Sequence, residues 1–367
     1  MPAVLDVCIR GAGVVGRALA LHLARERLRI GLVAQPAAAK PDIRAYALNA
    51  ASRQLLQDLR AWPDEAHATP VEGMEVFGDD GGHVRFDAGA QGALAWIVDV
   101  PALEQRLAEA LRFQPLVSEL QQPQQAALTV VSEGRESATR SGLGIEYDVH
   151  RYGQHALAAR LRCEKPHGNV ARQWFAGGEI LALLPMGGTG VPSGGNSLAL
   201  VWSVRQDHAQ DLLTAAPAEV EAQLVAASRG TLGSLTLDGE REAWPLQVAT
   251  ARRWCGPGWV LAGDAAHSVH PLAGQGLNLG LADARTLADV LHGREYWRPL
   301  GDVKLLRRYE RARKADVLAM GLATDGLQQL FAREEPSVAT VRNWGMRGFD
   351  RAGPLKDWVV RQAAGRL

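Results

Sequence analysis

The residues of this chain that could do chemistry are concentrated in one stretch, 263–283, with the sequence GDAAHSVHPLAGQGLNLGLAD. Gly263 and Asp264 are followed by two histidines, by Pro271 and by a run of glycines that leads into a helix. An ionised carboxylate at a strand end can accept hydrogen bonds from a polyol. Free N–H groups at a helix start can bond electronegative ligand atoms. The stretch therefore admits a metal site, a phosphate cradle, or backbone shaped to lie against a flat ligand.

The two histidines, His267 and His270, are weak candidates for a metal site. A structural zinc site needs four ligands at suitable spacing. We find no third Cys, His or carboxylate at such a spacing near the pair, and Pro271 follows at once. We therefore expect no metal here, and a loop or packing role for both histidines.

A second glycine motif, GAGVVG, lies near the start of the chain, between a predicted strand at 4–10 and a predicted helix. This context makes the G-x-G-x-x-G pattern informative. Gly11 permits a tight turn, Gly13 lets backbone approach a pyrophosphate at the helix N-terminus, and Gly16 allows close packing of helix on strand. The alternative is a glycine turn that binds nothing. The acidic residue that usually ends the next strand is absent, because Ala34 and Gln35 stand there.

Several elements must position these motifs. Strands at 4–10 and 29–34 flank the first helix and predict a parallel βαβ unit. Helices are predicted at 50–60, 101–112 and 217–228, a β-hairpin at 71–87, several strands within 155–204, and a strand at 259–263 followed by mostly helical sequence. The order predicts an α/β protein: a Rossmann-like domain with an inserted β-sheet domain and a helical C-terminus.

Composition narrows the functional classes. Forty Lys and Arg balance forty Asp and Glu, so nothing favours nucleic acid. The three cysteines are far apart, which predicts a reducing compartment without a disulfide framework. No apolar run approaches the roughly 18 residues of a membrane span. We expect a cytoplasmic protein, soluble or peripheral to the inner face of a membrane, with a small-molecule substrate.

At this point the chain resembles the class A FAD-dependent aromatic hydroxylases, and among them the ubiquinone-biosynthesis monooxygenases. The 263–284 segment is the most specific part of the resemblance, which spans nearly the whole chain. The matching segments are GAGVVG at 11–16, DIRAYALNAASRQLL at 42–56, QWFAGGEILALLPM at 173–186, GDAAHSVHPLAGQGLNLGLADA at 263–284 and LRRYERAR at 306–313.

The resemblance implies bound FAD, with NAD(P)H as a transient electron donor. Asp264 would contact the ribityl and phosphate region, and Pro271 and Gly274 would face the flavin ring. It names no general base. The full set of implied cofactor contacts is Gly11, Ala12, Gly13, Gly16, Arg44, Gly263, Asp264, Pro271, Gly274, Gly276, Leu277 and Asn278.

The same resemblance suggests a division into domains. The FAD-binding domain would take 1–70, 95–150 and 250–330, the β-rich substrate domain 71–94 and 151–249, and a helical tail 331–367. An apolar substrate would need an apolar channel, but core packing is the favoured interpretation of each residue that could line it. Its candidate lining is Trp174, Phe175, Leu181, Leu183 and Met186.

Some positions depart from the family pattern. Its second fingerprint, Asp-Gly followed by Ser and Arg, has Glu133 in place of the aspartate, followed by Gly134, Ser137 and Arg140. Arg10 precedes the first glycine turn and either adds charge near the phosphates or points to solvent.

The function we predict is hydroxylation of a phenol or quinol ring, most plausibly of a polyprenylated intermediate of ubiquinone biosynthesis, with NAD(P)H and dioxygen. Two alternatives remain: a flavin oxidase or reductase without oxygen insertion, and a non-catalytic scaffold. Contact with a membrane or a biosynthetic complex is a further hypothesis, for which 302–363 is the candidate surface.

Overall fold

The computed structural model describes residues 5–34, 42–78, 81–89, 92–187, 195–269 and 275–332, with the side chains of the last helix described as far as Ala319. The helices are α1 (Val14–Arg25), α2 (Ala50–Asp58), α3 (Val100–Arg112), α4 (Ala138–Gly142), α5 (Gln206–Thr214), α6 (Pro217–Ala227), α7 (Gln275–His292) and α8 (Val303–Ala332). The first nine strands are β1 (Leu5–Arg10), β2 (Ile30–Val33), β3 (Ala45–Leu48), β4 (Ala68–Val71), β5 (Gly73–Phe77), β6 (His83–Asp87), β7 (Ala95–Asp99), β8 (Val117–Leu120) and β9 (Ala126–Val131). The others are β10 (Tyr147–Cys163), β11 (Val170–Ala176), β12 (Glu179–Met186), β13 (Ser197–Arg205), β14 (Leu235–Ala251), β15 (Cys255–Gly256), β16 (Trp259–Leu261) and β17 (His267–Ser268).

A six-stranded sheet of order β15-β16-β9-β1-β2-β8 forms the first layer. Its strands pair in parallel except at the β15 edge. Val7 and Ile9 of β1 are fully buried, as are Leu19 and Leu23 of α1, so the helix covers one face of the sheet. The predicted βαβ unit and the predicted α/β class are confirmed.

A mixed eight-stranded sheet of order β17-β14-β10-β13-β12-β11-β5-β6 forms the second large layer. One face packs under α5 and α6, where Leu157, Leu183, Leu200 and Leu224 are buried together. The predicted hairpin is its edge, with β5 antiparallel to β6 and parallel to β11. The hairpin strands β5 and β6 thus belong to the same sheet as β10 to β14, as the predicted β-rich substrate domain requires. The domain boundaries remain our proposal.

A small antiparallel sheet, β3-β7-β4, lies between the two larger ones. Leu48 and Val98 belong to the core of the first domain. Ile97, a neighbour of Val98, instead joins Met186 and Ala199 of the large sheet. Because successive residues of a strand point to opposite faces, this sheet connects both layers.

The predicted helices at 50–60, 101–112 and 217–228 are all present, within two residues at each end. The cysteines Cys8, Cys163 and Cys255 are free and buried. Among the described residues, no helix is long and apolar enough to cross a bilayer.

Candidate active site

The GAGVVG motif at 11–16 forms a turn at the carboxyl end of β1, directly before α1. Gly11 has a φ of +111°, and a Cβ added there would lie 2.3 Å from the carbonyl oxygen of Ser132. A Cβ on Gly16 would lie 1.9 Å from the carbonyl oxygen of Gly11. Both positions therefore require glycine for packing. Ser132, which the sequence did not single out, donates from its hydroxyl to the Gly11 carbonyl at 3.1 Å.

Gly13, unlike Gly11 and Gly16, is not required to be glycine by packing within the described residues. A Cβ there would meet no described heavy atom within 4 Å. Gly13 is the N-cap of α1, no described side chain caps the helix, and its first turn carries no acidic residue. Among the described residues the first N–H groups of α1 thus have no side-chain cap, and the partial positive charge of a helix N-terminus favours an anion such as a pyrophosphate. Ala12 lies in the same turn.

The Gly263-Asp264 pair lies in a short 3₁₀ turn, Gly263–Ala265, which follows β16 and is called the Gly-Asp turn below. Side chains from other elements hold three of its backbone groups. Asp283 of α7 accepts from the Gly263 N–H at 2.8 Å, the Tyr147 hydroxyl donates to the Asp264 carbonyl at 2.9 Å, and Arg140 donates to the Ala265 carbonyl at 3.1 Å. The backbone of this Gly-Asp turn is therefore fixed on both sides.

The Asp264 carboxylate stays free of the bonds that hold its backbone. Its side chain is 45% exposed, and its nearest cationic group is Arg135, at 4.0 Å. Burial, with the charge of Asp283 acting in the same direction, raises the pKa of Asp264. Burial also raises the pKa of Tyr147 to about 12. These properties fit a carboxylate at the floor of a recess that protein atoms surround and solvent still reaches.

The start of α7 forms a third part of the same region. The Asn278 side chain is held by three hydrogen bonds: its oxygen accepts from the Asn49 N–H and the Ser52 hydroxyl, and its amide donates to the Ala47 carbonyl. The backbone of Gly276, Leu277 and Asn278 lies at the start of this helix, where N–H groups can bond a ligand. Pro271 and Gly274, and His270 with them, lie outside the described residues.

Val15 brings the three motifs together. An added Cβ on Gly280 of α7 would lie 2.6 Å from a Val15 methyl carbon, and one on Gly263 would lie 3.4 Å from it. Val15 belongs to the first turn of α1 and to the GAGVVG motif. This motif, the Gly-Asp turn and the start of α7 are therefore neighbours. Glycine at 280 is what permits this approach, whereas a Cβ at 263 would make an ordinary van der Waals contact with Val15.

Arg44 lies just before β3, at the edge of this region. Its guanidinium pairs with Asp42 and lies 5.6 Å from the ring centres of both Tyr46 and Trp244. Burial alone would lower the pKa of Arg44, but the Asp42 carboxylate outweighs burial and the pKa is raised. Trp244 belongs to β14 of the large sheet, so the large sheet reaches the recess here.

Glu133, which begins the family's second fingerprint, forms its hydrogen bonds with residues of the chain itself. Glu133 accepts from the Ser137 hydroxyl at 2.7 Å and from the Thr139 N–H at 3.0 Å, which caps α4. Arg10 forms an ion pair with Glu133 at 3.1 Å, so it does not point freely into solvent. The added methylene of Glu133 thus reaches these partners. Ala34 lies at the carboxyl end of β2, where a family member's acidic residue is expected.

His267 has the predicted packing role. It is 1% exposed, its Nε2 lies 2.6 Å from Asp283, and its ring stacks on Trp254 at 4.9 Å between ring centres. No sequence pattern singled out Asp283 or its other partner, Arg313. Both lie in helices with ordinary amphipathic patterns, where a charged residue normally faces solvent.

Core packing, the favoured interpretation of the five candidate channel residues, is confirmed for three of them. Trp174, Leu181 and Leu183 face α5 and α6 and belong to that core, so they pack rather than line a channel. Met186 lies on the opposite face, against the small sheet. Phe175 follows Trp174 in β11 and shares the Met186 face by alternation. A run of apolar residues on a sheet buried on both sides carries no mark of which face meets a ligand.

Comparison with known proteins agrees with this geometry. A family model described as an FAD binding domain matches residues 117–321, more than half of the chain. The 3-demethoxyubiquinol 3-hydroxylase of Escherichia coli is 31% identical over 98% of this chain and 98% of its own length. The chain belongs to this family of FAD-dependent monooxygenases. Another member, the ubiquinone hydroxylase UbiL of Rhodospirillum rubrum, is 31% identical over 99% of this chain and 90% of its own length.

Solved structures show the family fold. The protein pqsL of Pseudomonas aeruginosa, described as a probable FAD-dependent monooxygenase, superimposes with a TM-score of 0.76 over 94% of this chain and 99% of its own, at 20% identity. The p-nitrophenol 4-monooxygenase PnpA of Pseudomonas putida gives 0.76 over 98% and 96%, at 19% identity. The predicted FAD cofactor and the predicted enzyme class, an FAD-dependent aromatic-ring monooxygenase, are therefore confirmed.

Proposed function

We propose that this enzyme hydroxylates the ring of a polyprenylated phenol or quinol intermediate of ubiquinone biosynthesis, and that the recess between α1, the Gly-Asp turn and α7 holds its FAD. The observation that carries the site is the convergence of three separate motifs on Val15. The full-length similarity to two ubiquinone-pathway hydroxylases supports the substrate class.

The residues of the recess fit FAD in order along its length. The open N-terminus of α1 at Gly13 suits the pyrophosphate. Asp264 is placed to accept hydroxyl donors from a polyol such as the ribityl chain, and Arg44 adds positive charge beside it. The first turn of α7, with Gly276, Leu277 and Asn278, offers backbone N–H groups to the ring system.

When bound, FAD carries electrons from NAD(P)H to dioxygen, whose oxygen is inserted into the substrate ring. The protein's own share is positional and electrostatic. The N-terminus of α7 stabilises negative charge close to it. We infer that the face of the large sheet that bears Met186 is directed toward the recess, because Trp244, on the same face, lies 5.6 Å from the Arg44 guanidinium. We assign no general base, because the ring of a phenol or quinol is already electron-rich.

The substrate would meet the same face of the large sheet. Val201 is half-buried and pairs in register with Ala158 and Ala182, which places three small apolar side chains on one face. Trp244 lies on this face too, because its register partner Ala156 is separated from Ala158 by one residue. A surface of small apolar side chains with an aromatic edge suits an apolar ring.

We also propose that the enzyme contacts an anionic membrane surface, from which an apolar quinone precursor is taken up. The loop between α7 and α8 exposes Tyr296 and Trp297, at 94% and 67%. The segment 294–316 has eight Lys or Arg against four Asp or Glu, in a chain without net charge. Aromatic and basic side chains together are typical of membrane interfaces. These features support a contact through the start of the 302–363 segment and the loop before it.

The test of the proposed reaction is a purified protein loaded with FAD and supplied with NAD(P)H, labelled dioxygen and candidate prenylated phenols. We expect a flavin absorption spectrum, substrate-dependent NAD(P)H consumption and labelled oxygen in the product. Stoichiometric hydrogen peroxide without hydroxylated product would instead indicate an oxidase. A protein that stays colourless with excess FAD would indicate a scaffold.

A further inference from the structure

Asp283 is a completely buried carboxylate behind the Gly-Asp turn. Its Oδ2 accepts from the Gly263 N–H at 2.8 Å and lies 2.6 Å from His267 Nε2, while its Oδ1 accepts from Arg313 Nε at 2.7 Å. Its side chain is 0% exposed, and those of His267 and Arg313 are 1% and 4% exposed. Three elements, α7, β17 and α8, thus meet at one carboxylate.

The proposed reaction makes no direct use of this cluster. Burying a carboxylate costs free energy that only close partners offset, and well-packed apolar residues often give equal or greater stability. Burial alone would raise the pKa of Asp283, but the charges of His267 and Arg313 outweigh it and the pKa is lowered, so the carboxylate stays ionised. The value of the cluster therefore lies in the geometry that it imposes.

That geometry is imposed on the Gly-Asp turn. Gly263 adopts a φ of +60°, the left-handed region that favours glycine. The preceding Ala262 N–H still bonds to Val131 of the parallel sheet, so the chain leaves the sheet at this peptide. Asp283 takes the next N–H, that of Gly263. The direction in which Asp264 leaves the turn follows from this bond.

Arg313 ties the last helix to the same point. Besides Asp283, it donates from Nη2 to the Leu279 carbonyl at 3.2 Å, which fixes α8 against the second turn of α7. His267 contributes from the other side, with its ring stacked on Trp254. The carboxylate is therefore held in one orientation by groups that do not themselves face the recess.

We propose that Asp283 is a positioning residue for the flavin site, and that His267 and Arg313 hold its carboxylate so that the Gly-Asp turn presents Asp264 to the ribityl chain of FAD. This role rests on the proposed function, since it assumes that FAD occupies the recess. It assigns to α8, which does not line the recess, a part in cofactor affinity.

The test is the dissociation constant of FAD, measured by fluorescence titration of apoprotein. We expect Asp283→Asn to weaken FAD binding about 10–100-fold, the scale on which partners that orient a ligand-binding group act. Should that variant not fold, Arg313→Lys serves, because lysine keeps the charge but cannot reproduce the guanidinium fork. The absorption bands of bound flavin should also shift, which a loss of stability alone would not cause.

Glu310→Gln is the matched control. Glu310 is also a carboxylate between α8 and the sheet, held by the Trp254 N–H at 2.9 Å and by Lys314 at 2.9 Å, but it does not touch the Gly-Asp turn. We expect Glu310→Gln to lower the melting temperature and leave FAD affinity unchanged. Equal losses of affinity in both variants, or unchanged affinity in Asp283→Asn, would overturn the positioning role. Wild-type protein that binds no FAD would instead contradict the proposed function.

Discussion

A methyl carbon of Val15 lies 2.6 Å from the position that a Cβ on Gly280 would take. The two residues belong to α1 and α7, the two helices whose N-termini we assign to the proposed FAD recess. Their distance therefore sets the spacing between the group that would bind the pyrophosphate and the group that would face the flavin ring. Any side chain at 280 requires either the Val15 side chain or one of the two helices to move.

Gly280→Ala is accordingly expected to cost stability and FAD affinity together. Overpacking of this kind typically costs about 1–3 kcal/mol, measurable as a lower free energy of unfolding in urea. The added methyl should be accommodated when Val15 is also shortened, so the double variant Val15→Ala, Gly280→Ala should recover much of both losses. Gly142→Ala in α4 is the control, because a Cβ there meets no described heavy atom within 4 Å.

Asp264→Asn should separate stability from cofactor binding. The pKa of Asp264 is raised in the folded protein, so its ionised form opposes folding above the ordinary carboxyl range. The apoprotein variant should therefore melt at a higher temperature than wild type at pH 7, and this gain should vanish as the pH falls below about 4. FAD binding should be weaker at pH 7, because a carboxamide is a poorer acceptor for hydroxyl donors than a carboxylate.

The expectation for Asp264 fails if the variant binds FAD as tightly as wild type in a titration at pH 7. Glu133→Gln provides a comparison at a carboxylate that the chain already uses. The hydrogen bonds from Thr139 and Ser137 outweigh burial and lower the pKa of Glu133. That substitution should therefore destabilise the apoprotein at pH 7, opposite in sign to the effect at Asp264.

His208 predicts a pH dependence far from the recess. Its two ring nitrogens lie 2.7 Å from Glu179 and 3.1 Å from Gln223. Burial alone would lower the pKa of His208, but these partners outweigh it and the pKa is raised. The stability from the charged ring is thus fully present below the ordinary histidine pKa, near 6.5. It is lost as the pH rises through the raised value.

The melting temperature of wild type should consequently fall between about pH 6 and 8 by more than that of His208→Asn. Both proteins should bind FAD equally, because α5 and α6 lie on the side of the large sheet that packs away from the small sheet. If the melting temperatures of the two proteins fall equally across this pH range, the stabilising role assigned to charged His208 is wrong.

The sequence predicted the elements and most of the recess, because its glycines and its strand-to-helix passages are local signals. It could not distinguish the two faces of the large sheet, so Trp174 and Leu183 stayed candidates for a channel beside the favoured interpretation, core packing, which the structure confirms. It also missed Asp283 and Arg313, because α7 and α8 bring them together at a separation of 30 residues along the chain. A buried ion pair across two helices leaves no pattern in either helix.

Leu183 and Val201 offer a direct test of which face meets the substrate. Leu183 is fully buried under α5 and α6, so Leu183→Ala should cost about 2–5 kcal/mol of unfolding free energy while the KM for substrate stays unchanged. Val201 lies on the other face, and Val201→Trp should raise KM. Steady-state kinetics on the folded fraction of each variant give both values. The face is misassigned if Leu183→Ala raises KM and Val201→Trp does not.

The exposed pair Tyr296 and Trp297 tests the proposed membrane contact. Arg308 of α8 bonds to Glu295 at 2.7 Å, which places the aromatic loop beside the exposed basic residues of the helix, Lys304, Arg307 and Arg311. An interfacial aromatic side chain inserts at headgroup depth, and each basic residue near an anionic surface contributes about 1 kcal/mol. We expect the protein to sediment with vesicles that contain anionic lipid and not with purely zwitterionic ones.

Vesicle binding should weaken in the double variant Tyr296→Ala, Trp297→Ala and in the double variant Lys304→Glu, Arg307→Glu. It should also fall with rising salt, since salt screens the attraction between the basic residues and the anionic lipid. Phe113→Ala is the control, because Phe113 is 82% exposed but lies at the end of α3 rather than in this loop. Hydroxylation of a short-chain substrate in detergent-free buffer should be unchanged in all these variants, whereas turnover of a substrate embedded in vesicles should fall with binding. Vesicle binding that survives both double substitutions would show that another surface makes the contact.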